Sequence, residues 1–267
     1  MTLNKLNKVS PDFVENGGSI GSDNDFGGPG IFRLNSHLYA GAGASSPTIV
    51  WSFDSGKSKE SLDIFNGRDV ATGDVILILS GMRFSTPNPS LSSPSAYVWV
   101  AHEEFGGQGL LLWVVHVDGT NVAATDVVDI NYGNSVNDGT IINIRGLDTT
   151  KFDSATEDGG RAGVYLLDDT SWFTFTASPS GGDTPAAHTV AADNSLVVVG
   201  MTEDELVSAY SPASGYTAVQ TFQAGDRRSK FLMYKSDVSS GSEAPGAVTV
   251  TGGDNTLKTI TMEFNPA

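Results

Sequence analysis

Two adjacent carboxylates, Glu103 and Glu104, form the least ordinary acidic pair in this 267-residue sequence. Glycoside hydrolysis needs two carboxyl groups about 5 to 10 Å apart in a cleft. Trp99 and Trp113 lie on either side of the pair in the sequence, and exposed indole rings could stack on a sugar. Side chains of neighbouring strand residues point to opposite faces, however, which argues against joint catalysis by the two glutamates. We therefore expect that the protein is not an enzyme, with a glycan-cleaving enzyme as the weaker alternative.

Histidines and aspartates suggest two kinds of metal site, and neither is complete. His102 and His116 could face each other across a hairpin, but zinc would need further ligands that the sequence does not indicate. Residues 23–28 begin like an EF-hand calcium loop, yet Gly27 and Leu34 stand where oxygen ligands belong, so an EF-hand is excluded. We expect no cofactor. The alternative is calcium bound by separate loops, with Asp168, Asp169 or Asp183 among the oxygen donors.

Composition limits the functions open to this chain. Its formal net charge of -16 argues against direct binding of nucleic acid, because a phosphate backbone repels an acidic surface. There is no cysteine, so disulfides and thiolate metal sites are excluded. The first residues lack the apolar core of a signal peptide, and no apolar run approaches the roughly 20 residues that span a bilayer. We expect synthesis in a cytoplasm, no signal peptide and no membrane insertion.

Residues 139–148 predict an interior strand with an abrupt end. Ile141, Ile142 and Ile144 are β-branched and suit a pleated, buried surface. Gly146 ends the run, and Asp148 opens a polar loop.

Short apolar runs at roughly 8 to 15-residue spacing, joined by Gly, Asn, Asp and Ser turns, predict an all-β fold. We expect an antiparallel β-sandwich or jelly roll. The last run alternates, which places Ile260, Met262 and Phe264 on a buried face. The other predicted strands are residues 48–53, 74–80, 95–102, 110–117, 163–167, 171–176, 195–200, 216–222, 230–235 and 247–251.

Two hairpins and one short helix are predicted among these elements. Strands 95–102 and 110–117 should pair around Gly106 and Gly107, and strands 163–167 and 171–176 around residues 168–170. The helix should cover residues 202–210. Its signals are Thr202 as the N-cap, Glu205 at the capping-box position and Pro212 beyond the end.

Residues 1–46 differ from the remainder, which we predict as one β-sandwich domain over residues 47–267. They are rich in glycine but carry scattered large apolar side chains, which a flexible tail would lack. We interpret them as an extended arm that packs on its own domain or on a neighbouring subunit; a short first strand with loops is the alternative. The predicted anchor residues are Phe13, Phe26, Phe32 and Tyr39.

Two groups of residues that lie outside the arm could contact a partner. Trp99, Trp113 and Glu103 could bind a glycan, although aromatic residues of sandwich strands usually belong to the core. Arg227 and Arg228 form a basic patch that could meet an acidic surface on a neighbouring copy. Their alternative role is to mark the entry to a strand.

Six segments follow one another from the first central strand to the last strand: residues 73–78, 142–148, 188–198, 231–235, 241–250 and 259–264. In their order and spacing they resemble a β-sandwich domain common in virion proteins of tailed bacteriophages, including tail-fibre and accessory head or tail proteins. The family's middle strand typically carries tyrosine before Arg-Gly, where this chain has Ile144. The arm lies outside the resemblance.

The resemblance implies a non-enzymatic virion protein, tail-associated or a capsid decoration, that is oligomeric and exposed on the particle. Its expected partners are other virion proteins and copies of itself. A carbohydrate-binding adhesin or receptor-binding module, with host-surface polysaccharide as its ligand, is the alternative. The resemblance implies no catalytic residues.

Overall fold

The structure is a computed structural model that describes residues 45–54, 62–83, 90–91, 98–105, 108–131, 139–152, 155–157, 165–176, 184–203, 207–219, 229–252 and 257–267. All of these residues belong to a unit, Ala44–Ala267, that is defined by its tertiary contacts. Residues 1–44 of the predicted arm, including Phe13, Phe26, Phe32 and Tyr39, lie outside the described residues. The arm and its boundary at residue 46 therefore stay predictions.

The all-β prediction is confirmed, since the described residues contain strands and one 3-10 turn, Thr150–Phe152, but no α-helix. Among them, no helix is long and apolar enough to cross a bilayer. The strands are β1 (Thr48–Asp54), β2 (Leu62–Asp63), β3 (Val75–Arg83), β4 (Ser90–Leu91), β5 (Val98–Phe105), β6 (Gln108–His116), β7 (Asp129–Asn131), β8 (Gly139–Arg145), β9 (Ala155–Glu157), β10 (Tyr165–Leu167), β11 (Phe173–Thr176), β12 (His188–Val190), β13 (Ser195–Glu203), β14 (Val207–Ser211), β15 (Thr217–Ala218), β16 (Ser229–Val238), β17 (Gly241–Glu243), β18 (Thr249–Gly252) and β19 (Lys258–Phe264).

The first large sheet has the order β1-β8-β3-β6-β5-β10-β9. Strand β8 lies antiparallel between β1 and β3, so that Ile142 is paired with Ser52 on one side and Leu77 on the other. Its residues from Gly139 to Ile144 are buried, which confirms the predicted interior strand. Strand β10 joins the sheet in parallel with β5, through the pair Tyr165 and Val98.

The second large sheet has the order β11-β19-β13-β16-β15, and its pairings are antiparallel. Every strand of the first sheet precedes Asp168, and every strand of the second sheet follows Trp172. Three small sheets, β12-β17, β14-β18 and β2-β7-β4, and an isolated bridge between Leu147 and Pro266 complete the described pairings.

Apolar side chains fill three layers, one between the large sheets and one on the outer face of each. The middle layer joins side chains of β3, β6 and β8 to those of β13 and β19, which makes the fold a sandwich. Residues 64–65 and 117–128 help to cover the outer face of the first sheet. Residues 190, 213–216 and 248 help to cover the outer face of the second sheet. Central strands can therefore be apolar on both faces; the middle layer includes Val75, Leu77, Leu79, Leu112, Val114, Ile142, Ile144, Leu196, Val198, Ile260, Met262 and Phe264.

The predicted helix over residues 202–210 is wrong. Thr202 lies in β13, where it pairs with Lys230 of β16 and Lys258 of β19. Strand β14 then covers Val207–Ser211 and pairs with β18. The capping pattern is local and contributes only about 1 kcal/mol, so pairing with distant strands outweighs it.

The predicted hairpin around residues 168–170 is also wrong, because β10 and β11 belong to different sheets. Leu167 and Trp172, at the two ends of this turn, are both buried in the middle layer. The Trp172 indole donates a hydrogen bond to the Asp169 carbonyl oxygen at 2.9 Å. The turn therefore carries the chain from one sheet to the other across the edge of the core.

The two sheets approach closely at Gly200 of β13. A Cβ atom at this position would lie 2.6 Å from Leu79 Cδ2 and 3.2 Å from Ile260 Cγ2. We expect Gly200→Ala to lower the free energy of unfolding by about 1–3 kcal/mol, because a well-packed core must shift to accept the methyl group. Denaturant unfolding measures this change.

Gly246→Ala is the matched control, because the nearest atom to its added methyl group, Ala213 Cβ, is 4.0 Å away. Leu79→Ala should be less destabilising in the Gly200→Ala background than alone, since it vacates the space that the methyl group needs. Additive effects of the two substitutions would contradict the proposed contact.

Candidate functional site

A buried ion pair joins the start of β3 to the end of β8. The two strands are antiparallel, with Val75 opposite Ile144, so Asp74 and Arg145 meet at one edge of the core. The Asp74 side chain has no exposed surface, whereas 36% of the Arg145 side chain is exposed. Arg145 donates from Nε to Asp74 Oδ1 at 2.7 Å and from Nη2 to Oδ2 at 2.9 Å. This two-bond geometry is the strongest that arginine and a carboxylate can form.

Further polar groups extend this pair into what we call the Arg145 network: Trp51, Asp69, Asp74, Asn143 and Arg145. The Asn143 amide nitrogen donates to Asp74 at 2.8 Å and to the Asp69 carbonyl oxygen at 3.1 Å. Arg145 also binds the exposed carboxylate of Asp69 at 3.1 Å, and Trp51 Nε1 donates to the Asp69 carbonyl oxygen at 2.7 Å. Burial acts to raise the pKa of Asp74, but the bonds from Arg145, Asn143 and a main-chain N–H outweigh it, so the pKa is lowered.

Removing Arg145 should leave the Asp74 carboxylate buried without its cation. We expect Arg145→Met to lower the free energy of unfolding by on the order of 2–3 kcal/mol, a reduced figure because the arginine is partly exposed. Asp74→Asn in the same chain should recover part of this loss, since the neutral amide needs no counter-charge. Denaturant unfolding of both single variants and the double variant measures the coupling, and strict additivity would contradict a specific pair.

A second network, which we call the Glu263 network, consists of Lys151, Thr174, His188, Ala191 and Glu263. Only 2% of the Glu263 side chain is exposed, and Lys151 Nζ lies 3.1 Å from its Oε1. The Ala191 N–H donates to Glu263 Oε2 at 2.9 Å, and His188 Nε2 lies 3.5 Å from the same oxygen. Thr174 Oγ1 lies 2.6 Å from His188 Nδ1. Lys151 follows β8 and Glu263 lies on β19, so the network ties the first sheet to the second.

Hydroxyl, imidazole and carboxylate stand in series in the Glu263 network, as they do in hydrolases that activate a hydroxyl. The details differ here. The carboxylate lies at the Nε2 side of the ring and at the outer limit of hydrogen bonding. Lys151 already neutralises Glu263, and 3% of the His188 side chain is exposed. We therefore interpret the network as a tie between β11, β12, β19 and the 3-10 turn.

Acid should weaken both networks. Burial acts to raise the pKa of Glu263, but His188, the Ala191 N–H and Lys151 outweigh it, so the pKa is lowered. A carboxyl group with a lowered pKa in the folded state stabilises the fold above its unfolded pKa, about 4. This stabilisation is lost as the pH falls through the folded pKa.

We expect the free energy of unfolding to decrease below about pH 4, with Glu263→Gln reducing that decrease because glutamine does not titrate. Denaturant unfolding at a series of pH values measures the slope. Asp129→Asn, a substitution outside both networks, serves as the control. An unchanged slope for Glu263→Gln would contradict the role of Glu263.

The described part of the structure shows no site formed by the contact residues that the sequence predicts. Trp113 is buried, with 5% exposure, in the layer outside the first sheet, so its side chain is not available to stack on a glycan. Trp99 pairs with Trp113, and Glu103 with Leu110, in the confirmed hairpin of β5 and β6. The side chains of Trp99 and Glu103 lie outside the described part of the structure, as do Arg227 and Arg228. Their contact role stays a prediction.

The proposed facing of His102 and His116 is wrong. His102 pairs with Leu111 across the hairpin, and His116 pairs with Val75 of β3 on the other side of β6. Phe105 pairs with Gln108 in this hairpin, and that register places His102 opposite Leu111, five residues from His116. Asp169 accepts a hydrogen bond from the Ser171 N–H at 2.9 Å, while Asp183 lies outside the described residues. The described residues contain no group of three metal-binding side chains.

Neither network was predicted from the sequence, although the sequence contains a signal for the Arg145 network. Arg145 and Asn143 interrupt an apolar strand, and Asp74 directly precedes another. Buried charges require partners, so charges beside two adjacent apolar strands predict an ion pair. No comparable signal exists for Glu263, since its position on an alternating strand predicts exposure.

Comparison of the chain with protein-family models, curated proteins and solved structures finds no match. The residues and contacts described above are therefore the basis on which a function can be proposed for this chain.

Proposed function

We propose that the protein is a non-enzymatic structural protein of a tailed-bacteriophage virion, tail-associated or a capsid decoration. The sandwich is the part exposed on the particle, and the N-terminal arm holds it there. The observation that carries this proposal concerns the two carboxylates that are buried among the described residues, Asp74 and Glu263. Each of them forms an ion pair that ties together parts of the two-sheet body. The sequence resemblance supplies the class of particle.

The contacts of these carboxylates support a body built for stability. Both oxygens of Asp74 accept hydrogen bonds from Arg145, which ties two central strands of one sheet. The carboxylate oxygens of Glu263 accept hydrogen bonds from Lys151 and from the Ala191 N–H. The bond to Lys151 ties the two sheets together. A sandwich held at several points suits a module that is displayed on a particle in many copies.

Charge at the described surface supports the same role. The basic side chains Arg145, Lys151 and Lys235 each pair with a carboxylate, and Arg68 lies over the Phe53 ring. Exposed carboxylates such as Asp169 and Asp193 remain in excess. A net negative surface keeps copies soluble at high local concentration and disfavours direct contact with nucleic acid. Neighbouring virion proteins and other copies of this chain are the proposed partners.

Deletion of residues 1–46 tests the anchor. We expect the fragment 47–267 to keep its β-sheet circular dichroism and cooperative unfolding, but to fail to join particles assembled in its presence. Full-length protein in the same assembly is the control, and quantitative mass spectrometry of purified particles measures incorporation. Normal incorporation of a folded fragment would show that the arm is not the anchor. Absence of the full-length protein from particles would overturn the proposed function itself.

A further inference from the structure

The turn between β2 and β3 contains the dipeptide Asn66-Gly67, and both residues are exposed. Gly67 has a φ of 68°, and nothing lies within 4 Å of the position that a Cβ atom would occupy. The turn is held by its neighbours. The Arg68 N–H donates to the Phe65 carbonyl oxygen at 3.1 Å, and Arg68 Nη1 donates to the Asn66 carbonyl oxygen at 3.2 Å.

We propose that Asn66 is a site of spontaneous deamidation. The main-chain nitrogen of Gly67 attacks the side-chain Cγ of Asn66 and gives up its proton. The bond from Cγ to the side-chain nitrogen breaks, and ammonia leaves with the transferred proton. The resulting five-membered succinimide adds one water molecule at either of its carbonyls. Ring opening then yields aspartate or isoaspartate, and no other reactant is required.

Three observations at Asn66 meet the requirements of this reaction. Among the described residues, the Asn66 side-chain amide makes no hydrogen bond, so its Cγ is free to be attacked. The Gly67 N–H likewise donates no hydrogen bond within the described part of the chain. Glycine has no side chain to obstruct ring closure, and it allows the main chain a wide range of conformations.

Two other positions in the structure lack these features. Asn121 donates from its side chain to Asp118 at 2.7 Å and is followed by the β-branched Val122, which obstructs ring closure. Asp118 precedes Gly119, but three main-chain N–H groups bind its carboxylate and lower its pKa to about 2. The ionised, tightly bound carboxylate is a poor target for attack. Among these three described positions, reactivity should therefore concentrate at Asn66.

Conversion at Asn66 would disturb the exposed side of the Arg145 network. The same turn positions Arg68, whose guanidinium carbon lies 3.7 Å from the Phe53 ring centroid. It also positions the Asp69 carbonyl oxygen, which accepts hydrogen bonds from Trp51 and Asn143. Isoaspartate lengthens the main chain by one methylene group, and both products add a negative charge beside Asp69.

The experiment incubates the full-length folded protein at mildly alkaline pH and physiological temperature. Peptide mapping by mass spectrometry, with fragmentation that distinguishes isoaspartate from aspartate, then follows each asparagine over time. We expect conversion at Asn66 to outpace conversion at Asn121, and its rate to increase with pH because attack requires a deprotonated nitrogen. Asn66→Gln is the matched control. Its longer side chain would have to close a six-membered ring, so position 66 should remain an amide.

A synthetic peptide covering residues 62–71 shows the rate of the same dipeptide without the fold. Conversion of Asn66 in the folded protein at a rate comparable to that of the peptide supports the proposal. Retention of the Asn66 amide in the folded protein after most of the peptide has converted would overturn it, because the turn would then protect the site. Unfolding of the Asn66→Gln variant does not affect this comparison, which uses only the natural sequence.

Discussion

The Asp74 carboxylate is the constraint on which the first sheet depends, because it enters the core as a charge. An uncompensated buried charge costs several kcal/mol, and Arg145 is the only residue of the described network that supplies the opposite charge. The antiparallel pairing of β3 and β8 delivers Arg145 to that point. A slip of one residue in this pairing would separate the two charges and turn every side chain of the strand to the other face. The ion pair and the apolar layers therefore specify the same register.

The two sheets solve the problem of buried charge in different ways. The Arg145 network runs from a fully buried carboxylate to an exposed one, Asp69, so that solvent can stabilise its outer end. The Glu263 network is more enclosed, and its cation, Lys151, comes from the 3-10 turn that follows β8. One network thus fixes pairing within a sheet, whereas the other holds the second sheet against the first.

Sequence patterns predicted the elements whose signals are local. Runs of β-branched or apolar residues predict the interior strand β8, the central strand β3 and the hairpin of β5 and β6. For the hairpin, the dipeptide Gly106-Gly107 in the sequence is a further signal. Polar residues of β19 show where such patterns fail. Thr259, Thr261 and Glu263 alternate with apolar residues as a solvated face would, yet all three are buried, beneath residues such as Ala186 and His188. The segment that covers these three residues lies some seventy residues away in the sequence, so the alternation of residues along β19 gives no sign of it.

The two wrong elements have a related cause. A capping pattern at Thr202 and a short turn at residues 168–170 are both real local signals, but each competes with long-range pairing. The strands with which these segments pair depend on the layer that their apolar side chains fill. That choice depends on the whole fold, and so do the ion pairs of the candidate site.

The turn at residues 168–170 divides the sandwich so that each large sheet is continuous in sequence. A ribosome therefore completes all strands of the first sheet before it makes any strand of the second. Until β11 to β19 emerge, the inner face of the first sheet, with Leu77, Val114 and Ile142, lacks the cover that the second sheet later provides. Newly made chains pass through a stage with an apolar surface that neighbouring nascent chains or chaperones can bind. The order of synthesis makes the first half of this protein the part most in need of protection.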